Sequence, residues 1–213
     1  DNHTEYIYNE LNRKRVHIQP GNLSTSYTYD EEGNLKSVTD PNNNIITYDY
    51  DRLDRQTDAF YKAGQASPSF RITRIHTDYD ENSNVTMITE TKTGPDGSAI
   101  TDVTVNNYDN FDRLDDSIQR GMPTDYKYDD NGNRTLVATA AGSTAYTYDG
   151  RNRLKTADAN GAVTEYKYTQ DGRKDIVTYP NDTSIKYNYS DSDRISDITH
   201  RSGIGTIISR YDY

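Results

Sequence analysis

An all-β fold built from tandem hairpins follows from three observations. Tyr-x-Tyr recurs every 20 or 21 residues along most of the chain, Gly, Asn or Asp falls at a fixed place after it, and no segment carries a helical period. Together they predict about nine units of roughly 20 residues, each made of two strands and two turns. The bulged turn of each unit returns the chain antiparallel.

The first strand of each unit is the tyrosine strand. The pairs Tyr6/Tyr8, Tyr27/Tyr29, Tyr48/Tyr50, Tyr126/Tyr128, Tyr146/Tyr148, Tyr166/Tyr168, Tyr187/Tyr189 and Tyr211/Tyr213 read Tyr-x-Tyr, and Tyr79 and Tyr108 take the second place in two degenerate copies. Residues two apart share one face of a strand, so the tyrosines should pack along one face as ladders, each ring against its equivalent in the next copy. Tyr29, Tyr50, Tyr128, Tyr148, Tyr168 and Tyr189 are the structural tyrosines of this reading.

A turn follows. Asp30-Glu31-Glu32-Gly33 and Asp129-Asp130-Asn131-Gly132 have Asp first and Gly fourth, as a type I turn prefers. A left-handed residue at the fourth place forms a bulge that returns the chain antiparallel. That place holds Asn12, Gly33, Asp54, Ser83, Asp112, Gly132, Asn152, Gly172 and Asp193, and only Ser83 falls outside the types that tolerate positive φ.

Arg or Asn comes next in every copy, then usually an aliphatic residue such as Leu35, Val85, Leu114, Leu154 or Ile195 that starts the return strand. A second turn, such as Asp40–Asn44, closes the unit. Two insertions, Ala59–Ser69 and Lys92–Ser98, stretch the period to 29. Read as loops free to carry function, they supply the candidate ligand-facing residues Tyr61, Lys62, Lys92 and Asp96, with Pro95-Asp96-Gly97 as a tight turn.

Composition fits a folded chain with an unusual core. Hydrophobic residues make up only 31% of the 213 residues, against roughly 45–50% in ordinary domains, so the 20 tyrosines must carry much of the packing. A net charge of -10 without a basic run argues against nucleic acid. The absence of cysteine removes disulfides and thiol chemistry. No apolar stretch is long enough to span a bilayer.

The recurring Tyr-Asp-x-x-Gly-Arg/Asn-Leu, as in Tyr29–Leu35 and Tyr148–Leu154, resembles the tyrosine–aspartate (YD) repeat of the rearrangement hotspot (RHS) proteins, over essentially the whole chain. Single copies depart from it at Asn9, Thr169 and Ser190, where Asp is expected, and around Tyr79. The resemblance implies that the hairpins wind into a curled antiparallel sheet, a β-spiral, that in toxin-complex components, wall-associated proteins and teneurins forms a shell able to enclose an effector. The chain is accordingly read as a single array, residues 1–213, from a longer exported bacterial protein, secreted or at the cell surface. Its partners would be the rest of that polypeptide: further repeats and an effector domain.

Little points to catalysis. His3, His17, His76 and His200 sit at unrelated repeat positions, and no nucleophile-elbow, metalloprotease or phosphate-loop motif occurs. Asp30, Asp51, Asp80, Asp109, Asp129 and Asp149 are periodic, as turn residues are and active sites are not. No catalytic residue, cofactor or metal is assigned. The rival reading is a carbohydrate or cell-surface binding module, since tyrosines among polar groups suit sugar rings. Copies at the two ends, Asp1–Leu11 and Gly203–Tyr213, should fray first.

Overall fold

In the computed structural model, which describes residues 3–64, 72–94 and 96–213, every regular element is a β-strand. Two compact units divide the chain, Asp1–Gly121 and Met122–Tyr213. The first carries β1 (Glu5–Tyr8), β2 (Lys14–Gln19), β3 (Leu23–Tyr29), β4 (Leu35–Thr39), β5 (Ile45–Tyr50), β6 (Gln56–Lys62), β7 (Ile72–Tyr79), β8 (Val85–Thr93), β9 (Ala99–Tyr108) and β10 (Leu114–Gln119). The second carries β11 (Met122–Tyr128), β12 (Arg134–Thr139), β13 (Gly142–Tyr148), β14 (Leu154–Ala159), β15 (Ala162–Tyr168), β16 (Lys174–Thr178), β17 (Ser184–Tyr189), β18 (Ile195–Arg201) and β19 (Ile207–Asp212).

Within each unit the strands form an antiparallel meander in sequence order, and a strand touches only the strands before and after it. Each unit is therefore a single layer. The tyrosine strand and its return strand are joined by the Asp turn at one edge; the second turn joins copies at the other. Among the nine Asp turns the first residue's amide donates to the fifth residue's carbonyl at 2.8–3.0 Å. The fourth residue has positive φ in all nine, from 57° to 105°, Ser83 included. The anticipated bulge is present, with the pairing register shifting beside the turn in every such hairpin, as between Thr147 and Tyr148.

The core is thin. Among the described residues only Ala59 and Val177 are buried apolar residues, at 2% and 5% exposure. Both face a first tyrosine of the motif across the ladder: Tyr48 opposite Ala59, Tyr166 opposite Val177. The same pairing puts Tyr27 on Val38, Tyr126 on Val137, Tyr146 on Ala157 and Tyr187 on Ile198. Cross-strand aromatic–aliphatic pairs thus take the place of a second layer.

The two insertions differ from the loops anticipated for them. Residues 92–93 continue β8, and the chain turns at Gly94–Gly97, with Gly97 at φ 82° and the Gly94 amide on the Ser98 carbonyl at 2.7 Å. Extra residues there lengthen a hairpin, because each added pair continues the ladder from Met87↔Val105 to Thr93↔Ala99. Ala59–Lys62 likewise end β6, opposite Ile45–Tyr48. The remainder of that insertion, residues 65–69, and Pro95 lie outside the described residues.

Candidate functional site

The most elaborate chemistry in the molecule lies between copies, at the Asp-turn edge. At the first turn position the carboxylate divides its work. In the turns begun by Asp51 and Asp149, Oδ1 accepts the amides of the third and fifth residues at 2.8–3.1 Å. Oδ2 takes the side chain of the fifth residue. Where that residue is arginine the pair is bidentate: Arg55 on Asp51 at 2.7 Å through both Nε and Nη2, Arg113 on Asp109 at 2.7 Å twice, Arg153 on Asp149 at 2.8 and 2.6 Å. Asn84 and Asn133 do the same with one bond of 3.0 Å to Asp80 and Asp129. Hydrogen bonding of the ionised form holds these carboxyls below their usual range: Asp51, Asp80 and Asp109 are lowered, and Arg153 brings Asp149 down to about 2.

The fifth residue also reaches the next copy. Arg13, Arg55, Arg153 and Arg173 lie over the rings of Tyr29, Tyr79, Tyr168 and Tyr189, with Cζ 4.3–4.6 Å from the ring centre. The hydroxyl of that second tyrosine then donates to the carbonyl of the residue after the arginine or asparagine. Tyr29, Tyr50, Tyr79, Tyr108, Tyr148, Tyr168 and Tyr189 bond Lys14, Leu35, Gln56, Val85, Arg134, Leu154 and Lys174 at 2.8–2.9 Å. Asp, Arg and Tyr therefore form a complete latch from the Asp51 turn to Tyr79 and from the Asp149 turn to Tyr168, and the tyrosine hydroxyl bond recurs where the carboxylate or the arginine is absent. The rings of Tyr29, Tyr79, Tyr168 and Tyr189 meet a guanidinium of the preceding copy, where the sequence suggested a tyrosine ring of the next. Burial, the main cause, raises the phenol pKa of Tyr50, Tyr168 and Tyr189. Tyr128 ends β11 opposite Arg134.

The fourth turn position answers the fifth of the copy before. Asn34, Asn84 and Asn133 donate to Asp54, Asp112 and Asn152 at 2.8–3.1 Å, Arg55 to the Ser83 hydroxyl at 3.0 Å and Arg173 to Asp193 at 2.8 Å. Ser83, the odd residue of the sequence pattern, is the acceptor its arginine needs. Asn9 and Thr169 leave the turn hydrogen bonds in place and lose the carboxylate. As a result Nε of Arg13 and of Arg173 is buried without a partner.

The four candidate ligand residues are not brought together. Tyr61 and Lys62 stand on β6, opposite Ile46 and Ile45. Lys92, on β8, is ion-paired to Asp102 at 2.8 Å and to Glu90, and Arg120 joins Asp102 at 2.7 Å. These partners raise the Lys92 pKa and bring Asp102 to about 2. Asp96 accepts the Ser98 amide at 3.0 Å within its turn. A cluster that no motif announces lies on β6 and β7: Asp58, buried, accepts Arg74 Nε at 2.6 Å and contacts His76 Nδ1 at 3.0 Å, while His76 Nε2 is 3.3 Å from Asp78. Burial pulls the Asp58 pKa upward, but Arg74 and His76 hold it below its usual value. Its members are 16 and 18 residues apart, outside any motif. Among the described residues no group of three or more His, Asp or Glu side chains could hold a metal ion, and no helix is long and apolar enough to cross a membrane.

Comparison with known proteins agrees with this architecture. The family model described as Teneurin YD-shell matches residues 71–205, and that described as RHS Repeat matches residues 8–45 and 29–59. No curated protein matches. Among solved structures, the chain resembles a crystal structure of TcdB2-TccC3-TEV at 13% identity and TM-score 0.67, covering 99% of this chain and 12% of that one. TcdB2-TccC3 without its hypervariable C-terminal region gives 15% identity and TM-score 0.65, over 92% of this chain and 11% of that one. TcdB2-TccC3-Cdc42 gives 12% identity and TM-score 0.59, over 93% and 12%. The likeness is one of fold, and the chain spans about an eighth of those chains' length.

Proposed function

We propose, since the chain belongs to the YD-repeat (RHS-repeat) family and matches its teneurin YD-shell form over more than half of its length, that it is a length of wall in a β-shell that encloses or presents an effector domain of an exported protein. The observation that carries this reading is the copy-to-copy latch. Sheets stabilised by a second layer stop growing when the layer closes, whereas within each unit here copies are tied to the copies before them, so the array extends without a second layer. Residues 1–213 serve in this reading as one continuous array of about nine repeats. Arginines lie on the rings of Tyr29, Tyr168 and Tyr189, three of the structural tyrosines, and of Tyr79, and backbone carbonyls hold their hydroxyls, so those tyrosines are committed to wall-building. No single side chain of the repeat is assigned a catalytic role.

Protease protection tests the reading. In the parent polypeptide a segment outside the repeats should resist digestion while the array is intact and become cleavable when Tyr50→Ala and Tyr168→Ala open the wall. Rapid cleavage of every non-repeat segment in the intact protein would rule enclosure out.

A further inference from the structure

The two edges of the first unit differ in a way that wall-building does not require. Its five Asp turns, at residues 9–13, 30–34, 51–55, 80–84 and 109–113, all lie on one edge and hold ten carboxylates against four arginines. Among the described residues, the turns of the opposite edge, at 20–22, 40–44, 63–64, 94–98 and 120–121, hold two carboxylates and one arginine. In the second unit the four Asp turns hold six carboxylates, four arginines and no apolar residue larger than glycine.

Apolar side chains punctuate that acidic edge at a fixed interval. The third turn position carries Leu11, Leu53 and Phe111 in the first, third and fifth turns, 71%, 66% and 77% exposed, with Glu32 and Asn82 between them. Single exposed apolar residues are ordinary, but these three occupy one equivalent place in turns of one geometry. Successive knobs are four strands apart, which is about 19 Å at the usual strand spacing. Two open grooves lie along the same edge. One, of about 690 Å³, is lined by Asp30, Glu32, Asp51 and Asp54 among others; the second, of about 530 Å³, by Tyr8, Glu10 and Leu11 among others.

We infer that this edge is a docking surface for an extended cationic polypeptide segment whose apolar side chains recur at about every sixth residue, the interval that spans 19 Å in a strand. The excess of carboxylates selects a cationic partner and repels both a second copy of the same edge and an anionic lipid surface. The knobs supply the spacing that bare charge lacks. The surface does not depend on what the shell encloses, so failure of the enclosure reading leaves it standing.

The test uses the whole chain in physiological salt. Two labelled lysine-rich peptides of identical composition are titrated by fluorescence anisotropy, one with leucine at about every sixth residue and one with its leucines contiguous. A variant combining Leu11→Ser, Leu53→Ser and Phe111→Ser is titrated beside the wild type. It retains the fold, since Glu32 and Asn82 already place polar residues in the same turns, and circular dichroism checks this. The spaced peptide should bind about tenfold more tightly than the contiguous one, and the variant should abolish that difference. Equal binding of the two peptides, an unchanged preference in the variant, or no binding of either would overturn the inference.

Discussion

Gly172 packs against Arg153: a Cβ built there lies 3.4 Å from the Arg153 guanidinium, at the near edge of ordinary contact, and the backbone is at φ 101°. Gly33 stands in the same way to Arg13, at 3.1 Å. Where the preceding copy ends its turn in the shorter Asn34 or Asn84, the position holds Asp54 or Asp112. The fourth residue of one turn is therefore fitted to the fifth residue of the turn before. Gly172→Val should cost about 1–2 kcal/mol from the left-handed backbone alone and displace Arg153 from Tyr168. Gly150→Val, at a turn position with open space around it, should cost less. Chemical denaturation of the two variants checks the order.

The departures from the repeat pattern mark places where the array can be strengthened. Supplying the absent carboxylate by Asn9→Asp or Thr169→Asp gives Arg13 or Arg173 Nε its acceptor. Each should add up to about 1 kcal/mol, the worth of a well-formed ion pair near the surface, which is a rise of about 2–4 °C in melting temperature for a chain of this size. Asn9→Ala and Thr169→Ala should give no gain. A melt that stays flat for both Asp variants would show that the orphaned Nε atoms cost nothing.

Acid should dissolve the latches in a definite range of pH. The carboxyls of Asp51, Asp80, Asp109 and Asp149 all titrate below their unfolded value of 3.8 in the folded chain, Asp149 at about 2. The unfolded chain binds protons first, so the stability from these groups is complete above 3.8 and is lost as pH falls toward about 2. Thermal melts should be level above that window and drop steeply inside it, and high salt should shift the drop little for the hydrogen-bonded part of the effect.

Position in the array should matter as much as residue type. Tyr148 bonds the Arg134 carbonyl, whereas Tyr213 ends the chain 79% exposed. Tyr148→Ala should lower the melting temperature well beyond Tyr213→Ala; equal melts would remove the argument that stability accumulates from copy to copy.

The period, the turns and the bulges were legible because each is local. Asp30, Gly33 and Leu35 lie within six residues of one another, and repetition multiplied a weak signal. The latch was not legible, although its parts were in view. Arg153 and Tyr168 are separated by a return strand, a turn and another strand, and their contact depends on a register that only the assembled sheet fixes. The signal available was the recurrence of Arg or Asn at the fifth place, which a turn alone does not need. Lys92 was misplaced for a different reason. The break in period suggested a loop, but Lys92, Glu90 and Asp102 alternate with neutral residues and pair across the ladder, so the added residues lengthen strands. The Asp58, Arg74 and His76 cluster joins residues that no motif links.

The claim that copies are held to one another through an arginine and a tyrosine is tested most directly by a double-mutant cycle on Arg153 and Tyr168, read by equilibrium unfolding of Arg153→Ala, Tyr168→Phe, Tyr168→Ala and the paired variants. The guanidinium lies 4.3 Å from the ring centre and the hydroxyl donates to the Leu154 carbonyl at 2.8 Å. Tyr168→Phe should cost about 1 kcal/mol for the lost hydrogen bond. Arg153→Ala and Tyr168→Ala should show a coupling of about 0.5–1 kcal/mol, as cation–π pairs at partly exposed sites do. Strict additivity of the two alanine variants would contradict the account.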